Sequence, residues 1–207
     1  YIKTNSTVLD DQVVKKSLYH GFTCESNIVF PSYVSSPNIP SFERDSSYNR
    51  ISLFGIEQVN KDVTDSLDGT ITHYIEDRNA TFRVYAVRDG VGSKNAYFHL
   101  TSSRTDGNGI SLSSSVFLDV YDNEPWNLSI RVKPIRKYRA GVIPAGTATV
   151  RYKVVFSGYN PKTPDDIDSF VVSQSVSQTI GEQYITGSRR VFVGADRNDL
   201  TGTLNYK

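Results

Sequence analysis

Along this chain, apolar residues alternate with polar ones far more often than they recur at helical spacing. The clearest stretch is 127–133, where Leu128, Ile130 and Val132 alternate with Asn127, Ser129, Arg131 and Lys133. A period of two sustained over this length predicts a strand with one buried and one wet face. Residues 149–157 repeat the device, with Val150, Tyr152, Val154 and Phe156 on one parity, and Gly158 is expected to end that strand. Further strands are predicted over 22–30, 51–59, 80–88, 96–101, 169–176, 190–194 and 200–206. Between them, 32–47 is rich in Ser, Asn and Pro, and 60–69 is polar and acidic, so both read as loops. Gly-containing stretches at 89–94 and 103–109 supply the positive-φ residues that tight turns require. Helical spacing is confined to one short turn at 13–18. A series of short strands without long helices predicts an all-β, antiparallel architecture, either sandwich or barrel. No repeat or linker divides the chain, so residues 1–207 are expected to form one domain, with 1–17 as an N-terminal extension.

Composition narrows the role. The chain has 207 residues, with 38% hydrophobic and 22% charged, which is the balance of a globular domain and not of a disordered segment. The net charge of +1 supplies no overall attraction to nucleic acid, and no apolar run is long enough to span a membrane. The single cysteine, Cys24, forms no intrachain disulfide and reads as a small buried apolar residue. The 13 Tyr and 10 Phe favour strands, and Tyr suits sheet faces that pack yet stay wet. The sequence starts at Tyr1 and contains no Met, so it is expected to be a piece of a larger protein.

Hydrolytic chemistry finds little to work with. A glycosidase needs two carboxylates facing one cleft. Glu57, Glu76, Glu124 and Glu182 are scattered, and the nearest acidic cluster is Asp119, Asp122 and Glu124. His20, His73 and His99 sit beside no nucleophile motif. His99, between Phe98 and Leu100, reads as a packed or surface side chain. Calcium is the better metal candidate, because Asp and Asn oxygens near a strand–loop junction suit a hard cation. Asp119, Asp122 and Asn123 are its candidate ligands. The groups Asp62/Asp65/Asp68 and Asp165/Asp166/Asp168 read first as solvated turns.

Five positive residues fall within nine positions: Arg131, Lys133, Arg136, Lys137 and Arg139, with Tyr138 among them. Such a run either holds an anionic glycan or an acidic neighbouring subunit, or keeps a sheet edge solvated. Sugar recognition also needs an aromatic face. Tyr121, Trp126, Tyr138 and Tyr159 are candidates by an expected loop or junction position, although Trp126 reads first as a core cap. Arg136, Lys137, Tyr138, Arg139 and Tyr159 make up the candidate ligand-binding set.

Several phrases together resemble the concanavalin A-like, or laminin-G-like, jelly rolls. They are Trp126 leading a strand, Tyr152 to Gly158, Arg190 to Ala195, and Leu200-Thr201-Gly202. Ser52 to Gly55, Phe82 to Asp89, Asp119 to Asn123 and Val193 to Arg197 further resemble such domains in large structural proteins of tailed phages, including those of marine cyanobacteria. The resemblance implies a two-sheet jelly roll in a virion or cell-surface protein. It implies a non-catalytic module whose loops attach to a glycan or to neighbouring structural subunits, in an assembly where it forms homo-oligomers. A polysaccharide-active hydrolase of the same fold, or a purely architectural protein, are the alternatives.

Overall fold

The computed structural model describes residues 2–4, 21–30, 32, 50–58, 61–64, 71–74, 80–90, 92–102, 109–135, 152–163, 166–185, 189–194, 196–197 and 204–205. These residues build an all-β sandwich of two antiparallel sheets.

The four-stranded sheet contains β2 (Phe22–Val29), β9 (Pro125–Pro134), β10 (Tyr152–Thr163) and β11 (Asp166–Val176), in the order β11-β10-β9-β2. The six-stranded sheet contains β1 (Ile2–Thr4), β3 (Arg50–Gln58), β6 (Ala80–Arg88), β7 (Ala96–Thr101), β8 (Ser111–Ser113) and β12 (Arg189–Val193), in the order β1-β12-β3-β6-β7-β8. Two short ribbons complete the described strands. They are β4 (Lys61–Thr64) with β5 (Ile71–Tyr74), and β13 (Asp196–Arg197) with β14 (Leu204–Asn205).

Alternation explains why these segments form sheets. Leu128, Ile130 and Val132 on β9 are all 0% exposed, while Arg131 between them is exposed. On β10, Tyr152, Val154 and Phe156 face the same way into the core. The six-stranded sheet answers with Phe54, Ile56, Phe82, Val84, Ala86, Phe98 and Leu100. The layers meet through rings. Phe98 of β7 lies 5.7 Å from Phe170 of β11 and 4.7 Å from Trp126 of β9, and Phe22 of β2 lies 6.3 Å from Phe82 of β6.

Three expectations are corrected. Gly158 does not end its strand: β10 runs on to Thr163. Its missing side chain is a packing feature, because a Cβ there would stand 2.5 Å from Phe170 Cε1 and 2.6 Å from Leu128 Cδ2. Pro161 is tolerated because it falls beyond the β9 ladder, which stops at Tyr159, and beside an irregularity in the β11 register. The stretch 60–69 is not all loop, since Lys61–Thr64 pairs with Ile71–Tyr74. Within the stretch read as an N-terminal extension, Ile2–Thr4 pairs at the edge of the six-stranded sheet, which leaves that reading in place. A helix, Gln178–Ile185, follows β11 where none was expected. It turns Ile180 and Tyr184 inward and closes one end of the sandwich against Phe82 and Tyr152. The short helical turn expected at 13–18 lies outside the described residues, as do most of the loop at 32–47 and all but residues 102 and 109 of the turn around 103–109.

Candidate functional site

The end of the sandwich opposite the helix is made of connections. The turn 89–95 joins β6 to β7, the segment 114–124 leads into β9, and residues 30–32 leave β2. Backbone bonds tie them: Phe30 N donates to Glu124 O at 3.1 Å, and Tyr121 N to Lys94 O at 3.0 Å. Asp119 and Asn123 hold φ values of 54° and 61°, a left-handed conformation that Asp and Asn adopt more readily than other side chains. Asp119 N donates to Asn95 Oδ1 at 3.1 Å.

The three expected calcium ligands lie in this end, and two of them already have protein partners. Asp122 Oδ1 accepts from Ser32 Oγ at 2.9 Å and from Lys94 Nζ at 3.1 Å. Asn123 Oδ1 accepts from Ser32 N at 3.1 Å. The Ser32 hydroxyl, followed by the Lys94 ammonium, holds the Asp122 carboxyl below its ordinary range. A divalent cation here would compete with an ammonium already in place. Among the described residues, no group of three or more His, Cys, Asp or Glu is arranged to hold a metal. The donor set therefore fits a polar staple between three segments better than a calcium site. Beside it, the carboxylate of Glu124 accepts from the fully buried Asn160 Nδ2 at 2.7 Å.

Of the aromatic candidates, Tyr121 is 2% exposed and Trp126 1% exposed, so neither can offer a ring face to a sugar. Trp126 is the core cap that its place before the alternating strand suggested. Tyr159 is different. It sits within β10, not in a loop, and is 48% exposed.

Strand register places Tyr159 in a row across the outward face of the four-stranded sheet. Tyr159 is opposite Asn127 on one side and Ser169 on the other, and Asn127 is opposite Asn27. With strands about 4.8 Å apart, the row spans roughly 14 Å. Asn127 Nδ2 donates to Asn27 Oδ1 at 2.8 Å, which orients both amides. The next row carries Glu25, Ser129, Ser157 and Val171, and Arg131 follows beyond it. The row through Tyr159 is therefore uncharged and polar around one phenol ring, with exposed Ile167 and Val171 beside it on β11. Its basic side begins with Arg131 and Lys133, on the wet parity expected of them. Arg136, Lys137, Tyr138 and Arg139 lie outside the described residues.

The remaining titratable candidates occupy ordinary places. His99 Nε2 is 3.0 Å from Ser111 Oγ on the outward face of the six-stranded sheet. Burial, then the nearby Arg50 guanidinium, lowers its pKa. Cys24 lies on the inward parity of β2, and burial, then Glu25, raises its thiol pKa. Asp168 pairs with Lys162 at 3.5 Å. Asp62 stands opposite His73 in the β4–β5 ribbon, while His20, Asp65, Asp68 and Asp165 lie outside the described residues.

Sequence reasoning missed Ser32, Lys94, Asn95 and Asn27. Lys94 is 28 positions from Asp122, and Asn27 is 100 from Asn127, so no local pattern joins them. No helix among the described residues is long and apolar enough to cross a membrane. No family model, no curated protein and no solved structure matches this chain.

Proposed function

We propose that this chain is a non-catalytic binding module of jelly-roll type that receives a glycan on the outward face of its four-stranded sheet. The observation that carries the reading is Tyr159, half exposed on a rigid strand and flanked in register by Asn127 and Ser169. A sugar offers an apolar C–H face and a rim of hydroxyls. A tyrosine ring matches the first and oriented amides and hydroxyls match the second. The arrangement is built on strands, so little ordering is needed on binding. Jelly-roll closure is supported by the chain crossing between sheets at β2 to β3, β8 to β9 and β11 to β12. The sequence phrases described above are the ground for a virion or cell-surface setting. There, many weakly binding copies would act together.

Glycan-array binding tests the reading. Tyr159→Ala should reduce binding about tenfold or more while leaving the unfolding midpoint near that of the parent, since the ring lies outside the core. Asn127→Ala should weaken binding less. Loss of binding with no turnover of the same glycans supports the module. Turnover would move the chain to the hydrolase reading, and unchanged binding by the Tyr159 variant would reject this face.

A further inference from the structure

We infer that strand β11, an edge of the four-stranded sheet, is a docking edge that pairs antiparallel with β11 of a second copy of this chain. β11 extends over Asp166–Val176 and hydrogen-bonds along one side to β10. Among the described residues, no strand pairs with its other side. At about 3.4 Å per residue, that leaves some 37 Å of backbone donors and acceptors along one edge.

Edges of this length are normally blunted by charge, by proline, by a bulge or by brevity. The neighbouring edge of the other sheet is blunted by brevity, since β8 is only three residues long. The edge at the far side of the four-stranded sheet, β2, carries Glu25 on its outward face. β11 lacks these defences over most of its length. From Ser169 through Val176, and on to Gly181 in the helix, there is no Asp, Glu, Lys, Arg, His or Pro. Its outward side chains include Val171 at 73% exposed and Ile167 at 56%.

The choice of partner follows from self-match. A two-fold interface requires a surface complementary to itself. The uncharged stretch Ser169–Val176 meets its own copy without opposing like charges, whereas a charged edge would repel it. Antiparallel pairing centred on Val171 sets Val171 against Val171 and Ser169 against Ser173. It sets Asp168 opposite Gln174, and centring on Val172 sets Asp168 opposite Val176. In neither register do aspartates face each other, and Asp168 keeps its own pairing to Lys162. The product is a continuous eight-stranded sheet carrying two Tyr159 faces on one side. The inference does not depend on the glycan reading, because its readout is mass.

Sedimentation of the chain over a range of concentrations tests it. A concentration-dependent dimer is expected. Val171→Lys combined with Ser173→Lys places ammonium groups against each other across the axis and should weaken the dimer by at least about a hundredfold. Both side chains point outward, so circular dichroism and the unfolding midpoint should stay close to those of the parent. In the parent, β11 amides should also gain hydrogen-exchange protection as concentration rises. A monomer at every concentration, or a dimer indifferent to both lysines, would overturn the inference.

Discussion

Trp126 lies 4.7 Å from Phe98 and 4.8 Å from Phe117, and is the largest fully buried side chain of the core. Its indole N–H meets no acceptor among the described residues. What it contributes is therefore volume and ring contact, not a hydrogen bond. Trp126→Ala should cost about 3–5 kcal/mol, the range for emptying a large aromatic site. Trp126→Phe should cost clearly less, about 1–2 kcal/mol, because the smaller ring keeps most contacts and leaves no donor unpaired. Urea unfolding followed by circular dichroism measures both variants. A Phe variant as damaged as the Ala variant would mean that the N–H has a partner after all. This role was legible in the sequence, because a large aromatic directly preceding a period-two strand continues its inward parity.

The helix Gln178–Ile185 shows where element-scale reading fails. Period-two segments are conspicuous because every second side chain reports the same face, and β9 and β10 were found that way. The helix spans only two turns, contains Thr179 and Gly181, and buries mainly Ile180 and Tyr184, so its periodic signal is one i, i+4 pair. The readable clue was Ser177. Its carbonyl accepts from Gly181 N at 2.9 Å, and its hydroxyl lies 3.4 Å from Ile180 N, in the manner of an N-cap. Ser177→Ala should accordingly cost about 1 kcal/mol. Gly181 behaves oppositely to a glycine on an open helix, where alanine would gain about 1 kcal/mol. A Cβ here would stand 2.2 Å from Tyr152 Cγ, and that ring is itself 2% exposed. Gly181→Ala should therefore destabilise by about 1–3 kcal/mol, as overpacking does. Thermal or urea unfolding that shows a stabilised Gly181 variant would mean that the helix does not seat on Tyr152. The same physics hid the length of β10. Gly158 looks like punctuation in sequence, yet two side chains from neighbouring strands occupy the space its Cβ would need.

At the scale of the whole molecule the two ends of the sandwich are held differently. One end is plugged by apolar contact through Ile180 and Tyr184. The other is tied by polar contacts among residues far apart in sequence, which is why the latter was only half legible: Asp119, Asp122 and Asn123 could be singled out, but Ser32 and Lys94 could not. This difference predicts an acid response. The folded pKa of Asp122 is depressed, first by the Ser32 hydroxyl and then by Lys94. A group of that kind binds fewer protons folded than unfolded. Its contribution is therefore present above the unfolded carboxylate value, near 3.9, and is lost as pH falls through the lower folded value. Asp122→Asn removes the titration, so its unfolding midpoint should fall less steeply than the parent's over that acid window and should keep the parent's shape near neutrality. The contact is solvent-exposed, so added salt should shrink the difference between the two proteins. Calcium enters the same measurement as a competitor for one carboxylate. If Lys94 holds Asp122, millimolar calcium leaves the parent's midpoint where it was. A calcium-dependent rise that the Asn variant lacks would mean that the cation displaces the ammonium and that these oxygens form the metal site which their spacing first suggested.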